Sequence, residues 1–264
     1  MSEHAALSDV AREAVAKATA IVHAHPSFSV TTKGDRDVVT DVDHAVEDAV
    51  REFLAKETPE IGFLGEEHGR SGAEGGLWWA LDPVDGTANF ARGIPLCGIS
   101  LALVDGENSS VAAISLPFLG MTYTAARGQG TFANGVRVGA SSASVMSDAM
   151  IAVGDFAIGE LAETKNRARL LLLSDLGARA QKIRMLGTAA IDLAWVADGK
   201  LESAVILANN PWDTMAGVLL VREAGGFVVD RDGSEHTVDS AATIAVCGGL
   251  RDELVAALAR AGIR

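Results

Sequence analysis

One acidic segment at the end of an apolar stretch constrains this chain most. Trp79-Ala80-Leu81 predicts a buried strand, and Asp82-Pro83-Val84-Asp85-Gly86-Thr87 follows it directly. Pro83 fixes its own φ and forces a turn, which can bring Asp85 back beside Asp82. Two carboxylates about 4 Å apart repel by roughly 4 kcal/mol at an effective dielectric of 20, and a divalent cation between them reverses that repulsion. Oxygen-only ligands favour Mg²⁺, Mn²⁺ or Ca²⁺ over zinc.

The alternative interpretation of this segment is an ordinary acidic turn, with Thr87 capping a helix that starts near Ala88. Gly86 fits either interpretation, because glycine allows close approach of a ligand or a backbone conformation that is costly for other residues.

Three further segments carry residues suited to the same chemistry. Glu66 follows a short predicted strand, and Asp213 follows Trp212 at the start of a predicted helix, where an ordinary N-cap is the structural alternative. Small residues open another helix at Leu186-Gly187-Thr188-Ala189. Free backbone N–H groups at a helix start bind anions, so a phosphate could dock there, although close helix packing explains small residues equally well.

The charge balance limits the partners of the chain. The formal net charge is −13, and an acidic surface repels nucleic-acid backbones, so we expect no nucleic-acid partner. An acidic protein can still bind a phosphate if cations lie between them. Cys97 and Cys247 share no metal-binding spacing and indicate reduced, buried thiols. Without a signal-peptide core or an apolar run of about 18 residues, we expect a cytoplasmic protein with no membrane partner.

The remaining pattern predicts an α/β (α+β) chain in two halves. Apolar residues at a 3.6-residue period predict helices over 5–25 and 42–57, the second capped by Thr40 or Asp41. Strands over 99–104, 111–116, 121–126 and 131–138, separated by turn residues, predict a mostly antiparallel sheet. Strands and helices alternate beyond a polar linker at 141–147. We expect an N-terminal α+β half over 1–140, a C-terminal α/β half over 148–264, and the site between them.

Taken together, these segments resemble the inositol monophosphatase family. The matching pieces are Gly65-Glu66-Glu67, Trp79 to Phe90, and Trp212-Asp213 followed by Glu223-Ala224-Gly225-Gly226, and Lys33, Thr40 and Asp43 fit the N-terminal pattern of that family. The resemblance covers nearly the whole chain. It implies a layered αβαβα sandwich of the sugar-phosphatase type, with two mixed sheets between helix layers. It also implies a lithium-sensitive phosphatase that commonly forms homodimers.

The resemblance also assigns roles to individual residues. The implied metal ligands are Glu66, Asp82, the Val84 carbonyl, Asp85 and Asp213, with two or three Mg²⁺ per site and Mn²⁺ able to substitute. The implied phosphate-binding residues are Gly86, Thr87, Gly187, Thr188 and Ala189. Four carboxylates bring four negative charges into one cleft, so two Mg²⁺ ions cancel them and a third attracts phosphate. We assign the orientation and deprotonation of the attacking water to Thr87 and Glu66, with Asp43 hydrogen-bonded behind Thr87 and in-line attack on the phosphorus.

The substrate is less constrained than the reaction. Inositol-specific relatives carry a Glu and a His at the positions of Ile206 and Asn210. The predicted substrate is inositol-1-phosphate or a related polyol or sugar phosphate. The alternative substrates are histidinol phosphate, fructose-1,6-bisphosphate and a 3′-phosphonucleotide. Arg184 could contact a second anionic group or form a structural salt bridge. A non-enzymatic alternative is a regulatory binding partner of macromolecules, although an intact carboxylate set favours the enzyme.

Overall fold

The computed structural model describes residues 3–25, 29–34, 37–73 and 75–263, and the side chain of Lys33 lies outside this description. The helices are α1 (Glu3–Ala24), α2 (Asp41–Glu57), α3 (Thr87–Phe90), α4 (Ala162–Arg179), α5 (Ala189–Ala197), α6 (Pro211–Glu223) and α7 (Arg251–Arg260). The strands are β1 (Val30–Gly34), β2 (Asp37–Thr40), β3 (Gly62–Gly65), β4 (Gly69–Ser71), β5 (Trp78–Asp85), β6 (Gly98–Asp105), β7 (Asn108–Leu116), β8 (Met121–Ala126), β9 (Gly130–Ala133), β10 (Val136–Val138), β11 (Met150–Val153), β12 (Lys182–Arg184), β13 (Ser203–Ile206), β14 (Phe227–Val229) and β15 (Thr243–Val246). Among the described residues, no helix has the length and apolar character needed to cross a bilayer.

An eight-stranded sheet forms one half of the scaffold, in the order β10-β9-β8-β7-β6-β5-β3-β4. Its pairs are antiparallel except for β3 and β5, which run parallel. Side chains alternate between its faces, as strand geometry requires. Trp79 and Leu101 face α1 and α2, whereas Ala80 and Ala102 face α5 and α6. Small side chains on the second face allow the central helices to lie close to the sheet.

A five-stranded mixed sheet in the order β12-β11-β13-β15-β14 forms the other half. Its alanines, such as Ala152 and Ala204, join the core around α5 and α6, whereas Ile151 and Val153 pack with the residues of α4 and α7. The layers therefore follow one another in the order α1 with α2, the large sheet, α5 with α6, the small sheet, and α4 with α7. This arrangement confirms the expected αβαβα sandwich with two mixed sheets between helix layers.

Most of the predicted elements are present, with three differences. The predicted strand over 131–138 is two strands, because Asn134, with a φ of 47°, and Gly135 turn the chain between them. Thr87 does not cap the helix near Ala88, since α3 begins at Thr87 and its N-cap is Gly86. The strand before the acidic segment extends to Asp85, with an irregular register between Asp82 and Asp85. Residues 35–36, between β1 and β2, lie outside the described residues.

The two sheets divide the chain near residues 139–149, because the large sheet ends at β10 and the small sheet begins with β11. The core around α5 and α6 includes residues of both sheets, so the C-terminal helices cover the N-terminal sheet as well. The division into halves over 1–140 and 148–264 stays a prediction.

His236 is buried between the C-terminal strands and titrates far from its usual range. Its Nε2 atom lies 2.8 Å from Thr243 Oγ1, and its Nδ1 atom is buried without a hydrogen-bond partner among the described residues. Burial, and then repulsion from Arg222, lower the imidazole pKa from 6.5 to about 4, against the opposite effect of Asp230. The folded chain therefore holds this side chain neutral.

We predict that this histidine weakens the fold in acid. Between pH 6.5 and about 4 the unfolded chain binds a proton that the folded chain excludes. The free energy of unfolding therefore falls as pH falls through this window, by up to about 3 kcal/mol, and the full contribution is present above it. Urea unfolding of the wild type and of His236→Gln across this range measures the effect, because other titrating groups cancel in the difference.

A stability difference between wild type and His236→Gln that does not change with pH would contradict this prediction. The expected result is a wild type that loses stability relative to the variant as the solution is acidified.

Candidate active site

Three carboxylates from separate parts of the chain converge at one end of the large sheet. Glu66 follows β3, Asp82 lies in β5, and Asp213 lies in the first turn of α6. One carboxylate oxygen from each lies within 4.8 Å of the others. They line a cleft of about 510 Å³, together with Val38, Val84, Asp85, Gly86, Thr87, Ala88, Asn210 and Trp212. The predicted metal ligands Glu66, Asp82, Val84, Asp85 and Asp213 therefore share one cleft.

The electrostatics of this cluster are unfavourable without a counter-charge. Asp82 is only 3% exposed, and burial followed by repulsion from Glu66 raises its pKa well above the usual value. Burial, followed by repulsion from Asp85 and Glu66, raises the pKa of Asp213 to about 8. A buried carboxylate surrounded by other carboxylates raises the free energy of the folded chain. The fold therefore keeps these three acceptors together at a cost in stability.

The side chain of Asp82 holds the turn that follows it. Asp82 Oδ1 accepts a hydrogen bond from the Val84 N–H at 3.0 Å, which closes the turn around Pro83. Gly86 has a φ of 89°, and an added Cβ would lie 3.0 Å from the Leu96 carbonyl oxygen. Both the left-handed backbone and the crowding require glycine at this position.

Thr87 and Asp43 form the next layer of the site. The Thr87 hydroxyl lies 3.1 Å from Asp43 Oδ1 and 2.9 Å from the Val84 carbonyl oxygen, both of which are acceptors. Asp43 is fully buried, and its Oδ2 atom accepts from the Thr40 N–H at 2.9 Å within a capping box at the start of α2. The hydroxyl has one proton to donate, so its oxygen lone pairs stay available to a water in the cleft. The burial of Asp43 raises its carboxyl pKa.

Asp85 links the cleft to the start of α5. Its Oδ2 atom accepts from Thr188 Oγ1 at 2.6 Å and from the Ala190 N–H, and the Ala189 N–H also acts on this carboxylate. Burial nevertheless raises the pKa of Asp85. The helix start that is predicted to hold phosphate thus directs two of its N–H groups at Asp85. Gly187, with a φ of 71°, lies beside Asn89, and the phosphate-binding role of Gly187, Thr188 and Ala189 stays a prediction.

Asp213 is oriented by the start of α6. The helix N-cap is Asn210 and Pro211 is the first helical residue, so the alternative of Asp213 as the N-cap is wrong. Asn210 Nδ2 donates to Asp213 Oδ2 at 3.0 Å, and Ser100 Oγ donates to the Trp212 carbonyl at 2.9 Å. These bonds fix the helix start against β6 and point the Asp213 carboxylate into the cleft.

A buried glutamate that the sequence analysis missed holds the segment that carries Glu66. The Glu47 carboxylate accepts from the N–H groups of Glu67 at 2.8 Å and His68 at 3.0 Å, and it pairs with Arg51 at 2.5 Å. Its side chain is fully buried on α2. The signal was present, since Glu47 lies four residues after Asp43 and three before the apolar Val50, on the inner face of a predicted helix.

Arg184 lies apart from this cluster. It belongs to β12, the edge strand of the small sheet, and its Nη1 atom donates to the Ile183 carbonyl at 3.0 Å. It lines neither the cleft nor the adjoining cavity. Contact between Arg184 and a second anionic group stays a prediction without support from its position.

Comparison with known proteins identifies one family for nearly the whole chain. Residues 3–264 match the family model described as "Inositol monophosphatase family". The inositol-1-monophosphatase ImpA of Mycolicibacterium smegmatis is 36% identical over 236 residues, which cover 89% of this chain and 84% of that protein. The Nus factor SuhB of Salmonella typhimurium is 34% identical over 244 residues, covering 89% and 90%. A crystal structure of the extragenic suppressor protein SuhB from Bartonella henselae has a TM-score of 0.90 and 33% identity, covering 96% and 98%.

We predict that Gly65→Ala weakens cation binding at the carboxylate cluster. A Cβ on Gly65 would collide with the Glu47 carboxylate, so either that carboxylate or the segment bearing Glu66 must move. Isothermal titration calorimetry with Mg²⁺ should show a Kd at least about tenfold higher than that of the wild type. This change corresponds to a loss of about 1.4 kcal/mol of binding free energy.

The matched control is Gly177→Ala in α4, where an added Cβ meets nothing within 4 Å. Its Mg²⁺ affinity should equal that of the wild type, and its stability should rise by up to about 1 kcal/mol because alanine favours a helix. Equal Kd values for Gly65→Ala and the wild type would show that the Glu47 contact does not position Glu66.

Proposed function

Because the chain belongs to the inositol monophosphatase family, whose members are phosphatases, we propose that it is a Mg²⁺-dependent phosphomonoesterase of a small phosphorylated metabolite. The substrate class is inositol-1-phosphate or a related polyol or sugar phosphate. One observation carries the proposal: carboxylate oxygens of Glu66, Asp82 and Asp213 lie within 4.8 Å of one another at a cleft. Anions held this close repel one another when no cation lies between them, and they attract a cation that does.

The donor set fits the proposed metal. Carboxylates and the Val84 carbonyl are hard oxygen ligands, which Mg²⁺ prefers and Mn²⁺ accepts, and the described lining of the cleft includes neither His nor Cys. Glu66, Asp82, the Val84 carbonyl, Asp85 and Asp213 would hold two or three ions. Divalent cations at such a site supply an acidified water and offset the charge of a phosphoryl group.

Thr87 and Asp43 would orient the attacking water. The Thr87 hydroxyl oxygen can accept a hydrogen bond from that water while its own proton lies toward Asp43, 3.1 Å away. Burial raises the carboxyl pKa of Asp43, which improves it as a proton acceptor behind Thr87. Glu66, which lines the same cleft, would share in the deprotonation.

The backbone N–H groups of Gly86 and Thr87 would hold the phosphate oxygens. The first backbone hydrogen bond of α3 runs from the Asn89 N–H to the Gly86 carbonyl at 2.9 Å. The N–H groups of Gly86 and Thr87 come before that bond, so they have no partner within the helix. Gly187 and Thr188 approach the same turn from the other half, since Thr188 bonds Asp85 and Asn89 Nδ2 donates to the Leu186 carbonyl at 2.8 Å. Fixed donors of this kind stabilise charge as it develops on the phosphoryl group.

Regulatory binding to macromolecules is a second candidate, favoured by relatives that carry the name Nus factor SuhB. The complete carboxylate set supports the enzyme, because a binding partner could lose any of these side chains.

The family likeness also supports lithium sensitivity, a cytoplasmic location and a homodimer. Exposed apolar side chains, including Ile94 at 40% and Phe118 at 44%, surround a cavity of about 220 Å³ and offer apolar surface for a second copy. Light scattering of the purified protein measures its molar mass in solution and so tests the homodimer directly.

We predict that Asp213→Asn loses at least about 100-fold in kcat/KM, or about 2.7 kcal/mol of transition-state stabilisation, while the fold is retained. Phosphate release with Mg²⁺ measures the change, and circular dichroism checks the fold. Asp9→Asn, a surface change on α1 at a side chain that is 66% exposed, is the matched control and should retain full turnover. Wild-type turnover in Asp213→Asn would refute the site assignment.

The proposed function itself is tested by phosphate release from a panel with Mg²⁺, with and without lithium or EDTA. The panel holds inositol-1-phosphate, glycerol-2-phosphate, fructose-1,6-bisphosphate, histidinol phosphate and 3′-phosphoadenosine-5′-phosphate. We expect turnover that EDTA abolishes and lithium inhibits. Failure on every compound would favour the macromolecular partner.

A further inference from the structure

Three basic side chains line a cavity of about 250 Å³ beside α4, on the far side of the small sheet from α5 and α6. Lys165 and Arg169 belong to α4, Arg231 belongs to the connection between β14 and β15, and the described lining includes neither Asp nor Glu. The cavity shares no described lining residue with the carboxylate cleft or with the cavity beside Gly187 and Thr188. In a chain with a formal net charge of −13, it is therefore a separate, local concentration of positive charge.

Arg169 is a cation held inside the fold without a counter-charge. It is only 8% exposed, and its Nη2 atom donates to the Leu207 carbonyl at 3.2 Å. Among the described residues, its Nε and Nη1 atoms have no hydrogen-bond partner, yet neither atom is completely enclosed by protein. Burial lowers the pKa of this guanidinium, which nevertheless keeps its charge. Arginine is rarely buried without a partner, so this side chain points to an anion in the cavity that it lines.

The start of α4 adds to the positive potential at the same cavity. The helix N-cap is Leu161, with a φ of 62°, and no side chain caps the helix there. The first backbone bond of the helix runs from the Lys165 N–H to the Leu161 carbonyl at 3.0 Å, and Thr164, in the first turn, lines the cavity. The positive end of the helix dipole and its early N–H groups favour an anion at this position.

The carboxylates nearest in sequence to these cations have other partners. Asp230 accepts hydrogen bonds from two backbone N–H groups of the β14–β15 connection, at 2.9 and 3.0 Å. Asp232 accepts from the backbone and the hydroxyl of Ser234, and Glu163 pairs with Arg167. The positive charge of the cavity therefore stays available to a ligand.

The rest of the lining limits the size of that ligand. Apolar side chains of the core around α4 and α7 form part of the wall, namely Ala168, Leu207, Ala242 and Ile263. The volume lies just below the range of about 300–1,000 Å³ that is usual for ligand pockets. A small anionic group with a short carbon skeleton suits both the charge and the size.

We propose that this cavity is a second anion site, which binds phosphate or the phosphate group of a small metabolite away from the carboxylate cluster. Arg169 would donate to the phosphate oxygens from inside the cavity, and the exposed Lys165 and Arg231 would donate from its rim. The site does not depend on the proposed phosphatase function, because it shares no described lining residue with the cleft.

The test is isothermal titration calorimetry of the metal-free protein in EDTA, with inorganic phosphate and with propyl phosphate. Without cations the carboxylate cluster repels phosphate, so the cleft does not contribute to the signal. We expect saturable binding of one anion per chain. Tighter binding of propyl phosphate assigns the site to a phosphate ester, and tighter binding of inorganic phosphate assigns it to the free ion.

Lys165→Gln and Arg231→Gln change exposed side chains and should each raise the Kd at least about threefold. Arg169→Met should abolish saturable binding, with circular dichroism as the check on its fold. The matched control is Arg167→Gln, which removes the same charge from α4 at a side chain that is 75% exposed and does not line the cavity. Its Kd should equal that of the wild type.

The absence of saturable binding to the wild type would overturn this inference. A Kd that Lys165→Gln and Arg231→Gln leave unchanged, or that Arg167→Gln raises as much as they do, would overturn it as well. These outcomes leave the phosphatase assignment intact, because that assignment is tested by turnover with Mg²⁺.

Discussion

Mutual repulsion among Glu66, Asp82 and Asp213 is the constraint on which the site depends. Their oxygens lie within 4.8 Å of one another, and Asp82 is almost entirely buried. A fold selected for stability alone would separate these anions or replace one of them. The arrangement becomes favourable when divalent cations occupy the space between the oxygens, so the cost to the fold and the capacity for metal chemistry have one origin.

The scaffold holds this arrangement from both sides. Strand ends of the large sheet deliver Glu66 and Asp82, and a helix of the central layer delivers Asp213. Hydrogen bonds then fix each segment: Glu47 binds the backbone beyond Glu66, Asp82 closes its own turn, and Asn210 orients Asp213. Asp85 joins the turn after Asp82 to the start of α5, because its carboxylate accepts a hydrogen bond from Thr188.

The sequence predicts those parts of the site that depend on local chemistry. A strand followed by Asp82-Pro83, or a helix start beside Asp213, is visible within a short window. The helical position of Glu47 on the inner face of α2 is visible in the sequence, but its role is not, because its partners at Glu67 and His68 lie about twenty residues away. The split of residues 131–138 is a different case, because Asn134-Gly135 is a typical two-residue hairpin turn and the sequence already indicates two strands there.

The most direct measurement of the central constraint is thermal unfolding of the wild type and Asp82→Asn, each in EDTA and in saturating Mg²⁺. The asparagine keeps an oxygen for the Val84 N–H while it removes one charge from the cluster. The account predicts that in EDTA the variant unfolds at least about 2 °C above the wild type, because about 1 kcal/mol of relieved repulsion shifts Tm by that amount in a chain of this size. Mg²⁺ should then stabilise the wild type more than the variant. A wild type that Mg²⁺ does not stabilise, or a variant that is less stable than the wild type in EDTA, would contradict the account.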